Sequence, residues 1–450
     1  MLTMTTSRSL KLSIFGILSL ATAGHAQEFF REYGTSRTSG GIGRLSPNTE
    51  VFTGNNSALA PEDRIDQINQ EDDYNMRFGN LDFVVAFGTS VEFNDNITLA
   101  HRDKLSDIIL RPQLDFEGVL NFSETNKLNI GIGIGYAKYL DHSEFDTDGL
   151  LVSPTSALRW TAEAGAFKFT VRERLSYQED PFNLITLTDI ANFKRWENQA
   201  GIQVDWDASQ YTKITAGYDR YDMWTKDEEF ESLDHGIDTI YLRPSYQVSP
   251  TVTAGLNVSY SWVDYRQNVQ ADARVLLVGP FIQWKASEYV DVYAEVGYQQ
   301  STFDDETVTD PTATGVAGAG LDSEDTSGYY AKLSIVHRPS EHFRHRLEAS
   351  KTTELGYGTN YYDLYHVEYS IDWKIAENTS LSPTLFYEWY ETSGSNSEDG
   401  YRLGAAIGLH HIYSEHLTIG LDYRFLMKDS NLSEADYRQN LGLLSLYYKF

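Results

Sequence analysis

The sequence predicts an all-β fold: a single transmembrane, antiparallel, up-and-down β-barrel of about 18 strands. Three observations predict it. Apolar and polar residues alternate with period two along most of the chain. The connections between these runs alternate between short turns and long polar loops. The last eight residues, "LLSLYYKF", end inside such a run, on Phe450.

The alternation is clear from Leu81 onward. In "LDFVVAFGTSVEFN", Leu81, Phe83, Val85, Phe87, Val91 and Phe93 share one face. Asp82, Ala86, Gly88, Ser90, Glu92 and Asn94 share the other, which is the signature of a strand with one apolar side. "IILRPQLDFEGVLNF" repeats it, with Ile108, Leu110, Pro112, Leu114 and Phe116 against Arg111, Gln113, Asp115 and Glu117. About 18 such runs follow one another, most of them as long as the roughly 9–11 residues a tilted strand needs to cross a bilayer.

The connections sort by length. Short ones fall at Ser123–Asn126, Ala164–Ala166, Ala208–Gln210, Ser249–Pro250, Ser287–Glu288, Pro339–Glu341, Ala376–Asn378 and Ser414–His416. Between them lie long acidic loops such as "TKDEEFESLDHG" and "TFDDETVTDPTATGVAGAGLDSEDTSG". Short turns at one end and long loops at the other are the layout of an outer-membrane barrel, with both chain ends on the periplasmic side. An inward apolar face around so many strands would leave a lumen too wide to fill. Turned outward into lipid the same face is satisfied, and a closed barrel pairs every backbone group without an edge. Trp160, Trp196, Trp206, Trp262, Trp284, Trp373 and Trp389 lie near strand ends on the apolar face, where rings suit the interfacial belts.

Four prolines, Pro112, Pro244, Pro280 and Pro383, sit on the apolar face within strands, in similar local sequences. Each removes a ladder donor, which reads either as a bend or bulge or as descent of the hairpins by duplication.

Ahead of the barrel, Arg8 and Lys11 precede the apolar run "LSIFGILSLATA" and a small-residue site before Gln27, so residues 1–26 read as a secretory signal peptide. Residues 27–79 are polar, aperiodic and rich in Gly, Ser and Asn, and are expected to form a flexible extension; the barrel is assigned to 80–450. The chain has 450 residues, 30 tyrosines and no cysteine, which excludes a disulfide scaffold and thiolate chemistry. Its net charge is -29, and so acidic a chain does not bind nucleic acid through its phosphates.

Arg111, Asp115, Glu117, Arg159, Lys168, Arg172, Arg174, Arg243, Arg344 and Arg346 fall on the polar face and are the expected pore lining. Basic and acidic side chains facing each other across a lumen set a field that orients polar solutes. They equally fit inter-strand ion pairs in a wet interior. Inward glycines such as Gly217, Gly255, Gly297 and Gly404 leave gaps over which inward rings such as Tyr241, Tyr293, Tyr330 and Phe386 can pack; a stacking track for sugar rings is the functional alternative. The loop "QEDPFNLITLTDIANFKR" is unusually apolar, and Leu184, Ile185, Leu187 and Ile190 need burial. It is expected to fold into the barrel and narrow it, the part played by the corresponding loop of porins, whose layout this resembles. Asp146 and Asp148 match a fragment of a calcium loop, but the other ligand positions are missing. No metal, cofactor or catalytic constellation is expected.

The run from "SVEFNDNITL" into "DIILRPQLDFEGVLNFSETNKLNIGIGIGYAKYL", with Asp95-Asn96-Ile97, Leu110-Arg111-Pro112 and the strand end Tyr136 to Tyr139, resembles outer-membrane β-barrels described as porin-like. In particular it is similar to the beta-barrel porin 2 group, some members of which are linked to exopolysaccharide export. The resemblance covers about residues 80–450. It implies a place in the bacterial outer membrane, in contact with its lipid and lipopolysaccharide. Tyr448 and Phe450 resemble the C-terminal aromatic signal read by barrel-assembly machinery. Two functions stay open: a porin-like channel for passive passage of small hydrophilic solutes or glycan chains, and a non-channel scaffold or adhesin barrel within an exopolysaccharide export system. Monomer and homo-oligomer are both compatible with the sequence.

Overall fold

The computed structural model describes residues 74, 76–153, 156–179, 185, 190, 192–267, 270–304, 325–356, 359–394, 397–432 and 434–450. The leader 1–26, all but the last few residues of the 27–79 extension, and Leu184 and Leu187 lie outside them.

The described residues form one closed antiparallel sheet of eighteen barrel strands. The first five are β1 (Leu81–Asn94), β2 (Asp107–Ser123), β3 (Asn126–Gly135, resuming at Lys138–Tyr139), β4 (Leu151–Val152, then Ala157–Ala164) and β5 (Phe167–Gln178). Next come β6 (Arg195–Ser209), β7 (Thr212–Thr225), β8 (His235–Ser249), β9 (Val252–Tyr265), β10 (Ala273–Lys285) and β11 (Val290–Phe303). The ring is completed by β12 (Thr326–Ser340), β13 (Phe343–Leu355), β14 (Tyr361–Ala376), β15 (Thr379–Thr392), β16 (Asp399–Ile412), β17 (Leu417–Ser430) and β18 (Tyr437–Lys449). Each strand pairs with its neighbour in sequence. β18 then pairs with β1, from Ala86↔Lys449 to Asn94↔Leu441, so no edge is left. A short lead-in, Met76–Phe78, folds back on the start of β1 through Gly79, whose φ of 62° suits glycine. The eight short turns fall where the sequence places them, all at one end together with both ends of the barrel.

The polarity of the sheet is that of a globular protein turned inside out. The outward side chains are apolar and open: Phe87, Leu114, Ile202, Ile240, Leu385 and Leu421 are among many exposed large hydrophobics. Many of the inward ones are polar or charged and buried, with Glu388 and Arg402 each only 1% exposed. Such an outside is matched to hydrocarbon, where every backbone group must be paired within the protein. Aromatic pairs border the apolar band. At the short-turn end Phe167 stacks on Trp206 at 5.9 Å, and Trp160 Nε1 donates to Asn126 Oδ1 at 2.7 Å. At the other end Tyr177 meets Trp196 and Tyr365 meets Trp389, each pair at 5.0 Å.

The prolines are not bulges. Each keeps one ladder intact and makes the other skip two residues, and pairing resumes in the same register. Around Pro244 the β8–β9 ladder runs Leu242↔Val258, then Ser245↔Gly255. Around Pro280 the β10–β11 ladder runs Val278↔Tyr298, then Phe281↔Glu295. Pro112 and Pro383 behave the same way. The true register shifts lie beside short turns, for example at Gln247/Ser249 and Lys374/Ala376. A missing N–H costs one ladder bond here without forcing an extra residue into the strand.

Inward glycines are covered by rings from neighbouring strands. A Cβ on Gly404 would land inside the Phe386 ring, and one on Gly297 inside that of Tyr330. These rings cover otherwise open stretches of backbone. Because Phe386 is itself 1% exposed and cannot swing away, Gly404→Val is expected to destabilise the barrel by about 1–3 kcal/mol. Thermal loss of the compact, heat-modifiable form on gel electrophoresis measures this; unchanged thermal stability would contradict the packing.

Candidate functional site

The inner wall is built by strand parity. Every second residue of β4 to β10 points inward, and at the short-turn end these residues surround a cavity of about 360 Å³. Arg159 comes from β4, Lys168 and Thr170 from β5, and Gln203, Asp205 and Asp207 from β6. Lys213 and Thr215 come from β7, Arg243 and Gln247 from β8, and Phe281 and Gln283 from β10. Four cations thus face the same space, with two aspartates on one wall.

The charges are held by neighbours. Thr215 Oγ1 donates to Asp205 Oδ1 at 2.5 Å, Gln203 Nε2 to Asp205 Oδ2 at 2.9 Å, and Lys213 Nζ lies 3.7 Å from Asp205 Oδ1. The Arg243 guanidinium lies 4.1 Å from the centre of the Phe281 ring, a cation–π contact that fixes its plane. Such a surface of guanidinium, ammonium, amide and hydroxyl groups offers mostly donors to a solute.

The remaining sequence-predicted residues are dispersed. Arg111 Nε donates to Glu92 at 2.8 Å, and Gln113 donates to Asp115 at 2.6 Å. Glu117 is further along the same inward face of β2. Arg172 grips Asp219 with Nη2 bonds of 2.5 and 2.7 Å, and Arg174 is buried beside it on β5. Arg344 and Arg346 lie on β13, eight strands round the ring from β5, with Arg346 3.7 Å from Glu348. Of the ten expected lining residues, only Arg159, Lys168 and Arg243 converge on the cavity.

A second constellation was missed by sequence reasoning. On β14 to β17, Arg402 bonds Glu388 through Nε and Nη2 at 2.7 and 2.6 Å, and His366 Nδ1 lies 3.2 Å from the same carboxylate. Lys428 Nζ lies 2.8 Å from Glu398, which also accepts from Tyr390 and Ser430 at 2.7 Å. The available signal was parity, since Arg402 and Lys428 share the inward frame of Gly404 and Gly420. Lys428 also donates to the backbone carbonyl of Ile185 at 2.7 Å.

Ile185 leaves the wall between β5 and β6, yet it packs on Tyr362, Leu364 and Tyr390 of β14 and β15, across the lumen. Ile190 packs on a buried cluster at the long-loop end. There Phe193, Phe230 and Leu233 from two loops meet Met223, Ile237 and Val263 of the inner wall. Leu99, from the loop after β1, packs on Phe386, Leu426 and Tyr437. The long-loop half of the lumen therefore contains apolar loop residues, while the short-turn half holds the polar cavity. Outside the spanning strands, Lys226 lies 3.0 Å from Asp148 and its hydrogen bond holds that carboxyl below its usual range. This tie between two surface loops is present at neutral pH and is lost as pH falls through the depressed value.

Among the described residues no group of three or more His, Asp or Glu side chains is placed to hold a metal ion. No protein-family model matches the chain, and no curated protein does. Solved structures are similar at low identity. OccAB2 of Acinetobacter baumannii is 13% identical with a TM-score of 0.46, over 82% of this chain and 98% of that one. The outer membrane protein OpdK of Pseudomonas aeruginosa is 10% identical at 0.45, over 82% and 99%. A structure of OpdK with vanillate is 9% identical at 0.44, over the same shares. The barrel assignment rests on the chain's own closed ladder.

Removing one partner of a buried ion pair strands the other, so Arg402→Met is expected to cost about 3–5 kcal/mol, and the double variant Arg402→Met/Glu388→Met less. Denaturant unfolding in micelles measures both, and a double variant weaker than the single would contradict the pairing.

Proposed function

We propose that the protein is an outer-membrane, porin-like channel for passive passage of small hydrophilic solutes or glycan chains. The observation that carries this reading is the inverted polarity of the closed barrel around a charged, hydroxyl- and amide-rich cavity. Short turns and both barrel ends face the periplasm, after export by a signal peptide at 1–26, and the long loops face outside. Tyr448 and Phe450 present the assembly signal, and lipopolysaccharide surrounds the outer half. A place in an exopolysaccharide export system belongs to the alternative reading, a non-channel barrel, and rests on the resemblance to the beta-barrel porin 2 group alone.

In this reading the segment between β5 and β6 narrows the opening through its described residues Ile185 and Ile190. Ile185, anchored by Lys428, and Ile190, in the apolar cluster, are its described contacts with the interior. Arg159, Lys168 and Arg243, with Lys213, bias the vestibule toward anions. One observation favours a second reading, a non-channel scaffold or adhesin: the apolar cluster of loop residues in the long-loop half.

Single-channel recording in planar bilayers separates the two. The channel reading predicts discrete openings in the wild type. It also predicts larger ones in Lys428→Met/Glu398→Gln, which removes the hydrogen bond to the Ile185 carbonyl without stranding a buried charge. Lys168→Glu/Lys213→Glu is expected to shift the reversal potential in a salt gradient toward cation selectivity. Silence of all three proteins would establish the scaffold reading instead.

A further inference from the structure

On the outward face of the β12–β13 hairpin, near its short turn, His337 and His345 are register partners. Directly opposite residues on one face of an antiparallel pair bring their side chains together. Here His337 Nδ1 lies 2.8 Å from His345 Nε2. The second ring nitrogen of His345, Nδ1, lies 3.0 Å from the hydroxyl of Tyr369 on β14. Phe343 packs on His345 at 5.6 Å and on Trp373 at 6.2 Å, so the pair sits within the rim of aromatic residues, where water reaches the protein.

Two features of this pair exceed what an interfacial belt needs. The two nitrogens face each other at a chelating distance. A metal about 2.0 Å from both would see them at about 90°, the angle between neighbouring ligands in a square plane. A tetrahedral ion would need them about 3.3 Å apart. Tyr369 also holds His345 through the nitrogen that a metal would not use, which is how ligating histidines are usually oriented.

We propose that His337 and His345 form a two-histidine chelate for a divalent transition metal, copper(II) in preference to nickel(II) and zinc(II), on the outer rim of the barrel. His337 binds through Nδ1 and His345 through Nε2, with water in the remaining positions. In the metal-free protein one imidazole donates its proton to the other. On binding, that proton moves to the far nitrogen of the same ring, so both facing lone pairs are free and no net proton is released. Tyr369 is a positioning residue.

The test uses the full chain purified in detergent micelles, stripped with chelator and titrated with copper(II). Electron paramagnetic resonance reads the nitrogens bound. One tightly bound equivalent with a two-nitrogen, square-planar signature is expected, and zinc(II) should displace it poorly. The signature should disappear in His337→Ala and in His345→Ala and persist in His411→Ala, which removes another rim imidazole, one that lies 2.9 Å from Thr379 Oγ1. Tyr369→Phe should weaken binding about 10- to 100-fold while keeping the signature. Heat-modifiable migration establishes that each variant is folded. A two-nitrogen signal that survives in His337→Ala/His345→Ala, or the absence of a stoichiometric site in the folded wild type, would overturn the proposal.

Discussion

Closure of the hydrogen-bonded ring is the constraint on which the rest of this structure depends. A backbone amide or carbonyl left unpaired in hydrocarbon costs several kcal/mol, so a sheet can cross a bilayer only if its last strand finds its first. The pairing of Leu441–Lys449 with Ala86–Asn94 makes that join. Just past β18 the join continues, with the Phe450 amide donating to the Val85 carbonyl at 3.0 Å. Closure also explains why prolines are tolerated: each leaves one ladder whole, so the ring is thinned at a point and never opened.

Once the ring is closed, the two faces must solve different problems. The outer face needs only apolar side chains and interfacial rings. The inner face must bury charges, and it does so by pairing them, as in Arg402–Glu388–His366 and Arg172–Asp219. Such networks add little net stability over apolar packing, but they fix one arrangement and penalise its alternatives. The cavity at the short-turn end differs in character. There four cations meet two aspartates, and part of the wall presents amides and hydroxyls. A surface of that kind is suited to exchanging water for a polar solute.

Much of the fold was legible in the sequence because a strand with one wet and one greasy face must alternate. Phe83, Val85 and Phe87 announce their face as plainly as Leu444, Leu446 and Tyr448 do at the other end. The break in β3 at Tyr136–Ala137 was not legible within that strand, because it lies opposite Pro112 on β2. Nor was the inward packing of Phe230 and Leu233, which lie in an otherwise acidic loop. The cavity was hidden for another reason: its lining comes from seven strands spread over more than a hundred residues, and only register brings Arg159 and Arg243 into one space. The bulge reading of the prolines failed because the sequence shows a missing donor and not which of two ladders loses it.

The central claim is that alternate residues of each strand face lipid and interior. The chain has no cysteine, so single-cysteine variants from Ile419 to Phe425 on β17 can carry a spin label without background. Collision with oxygen in the bilayer, compared with a water-soluble nickel reagent, reports each label's surroundings. Strong oxygen access at 419, 421, 423 and 425, with weak access at 420, 422 and 424, is the predicted result. Equal access at all seven positions, or the opposite phase, would contradict the account.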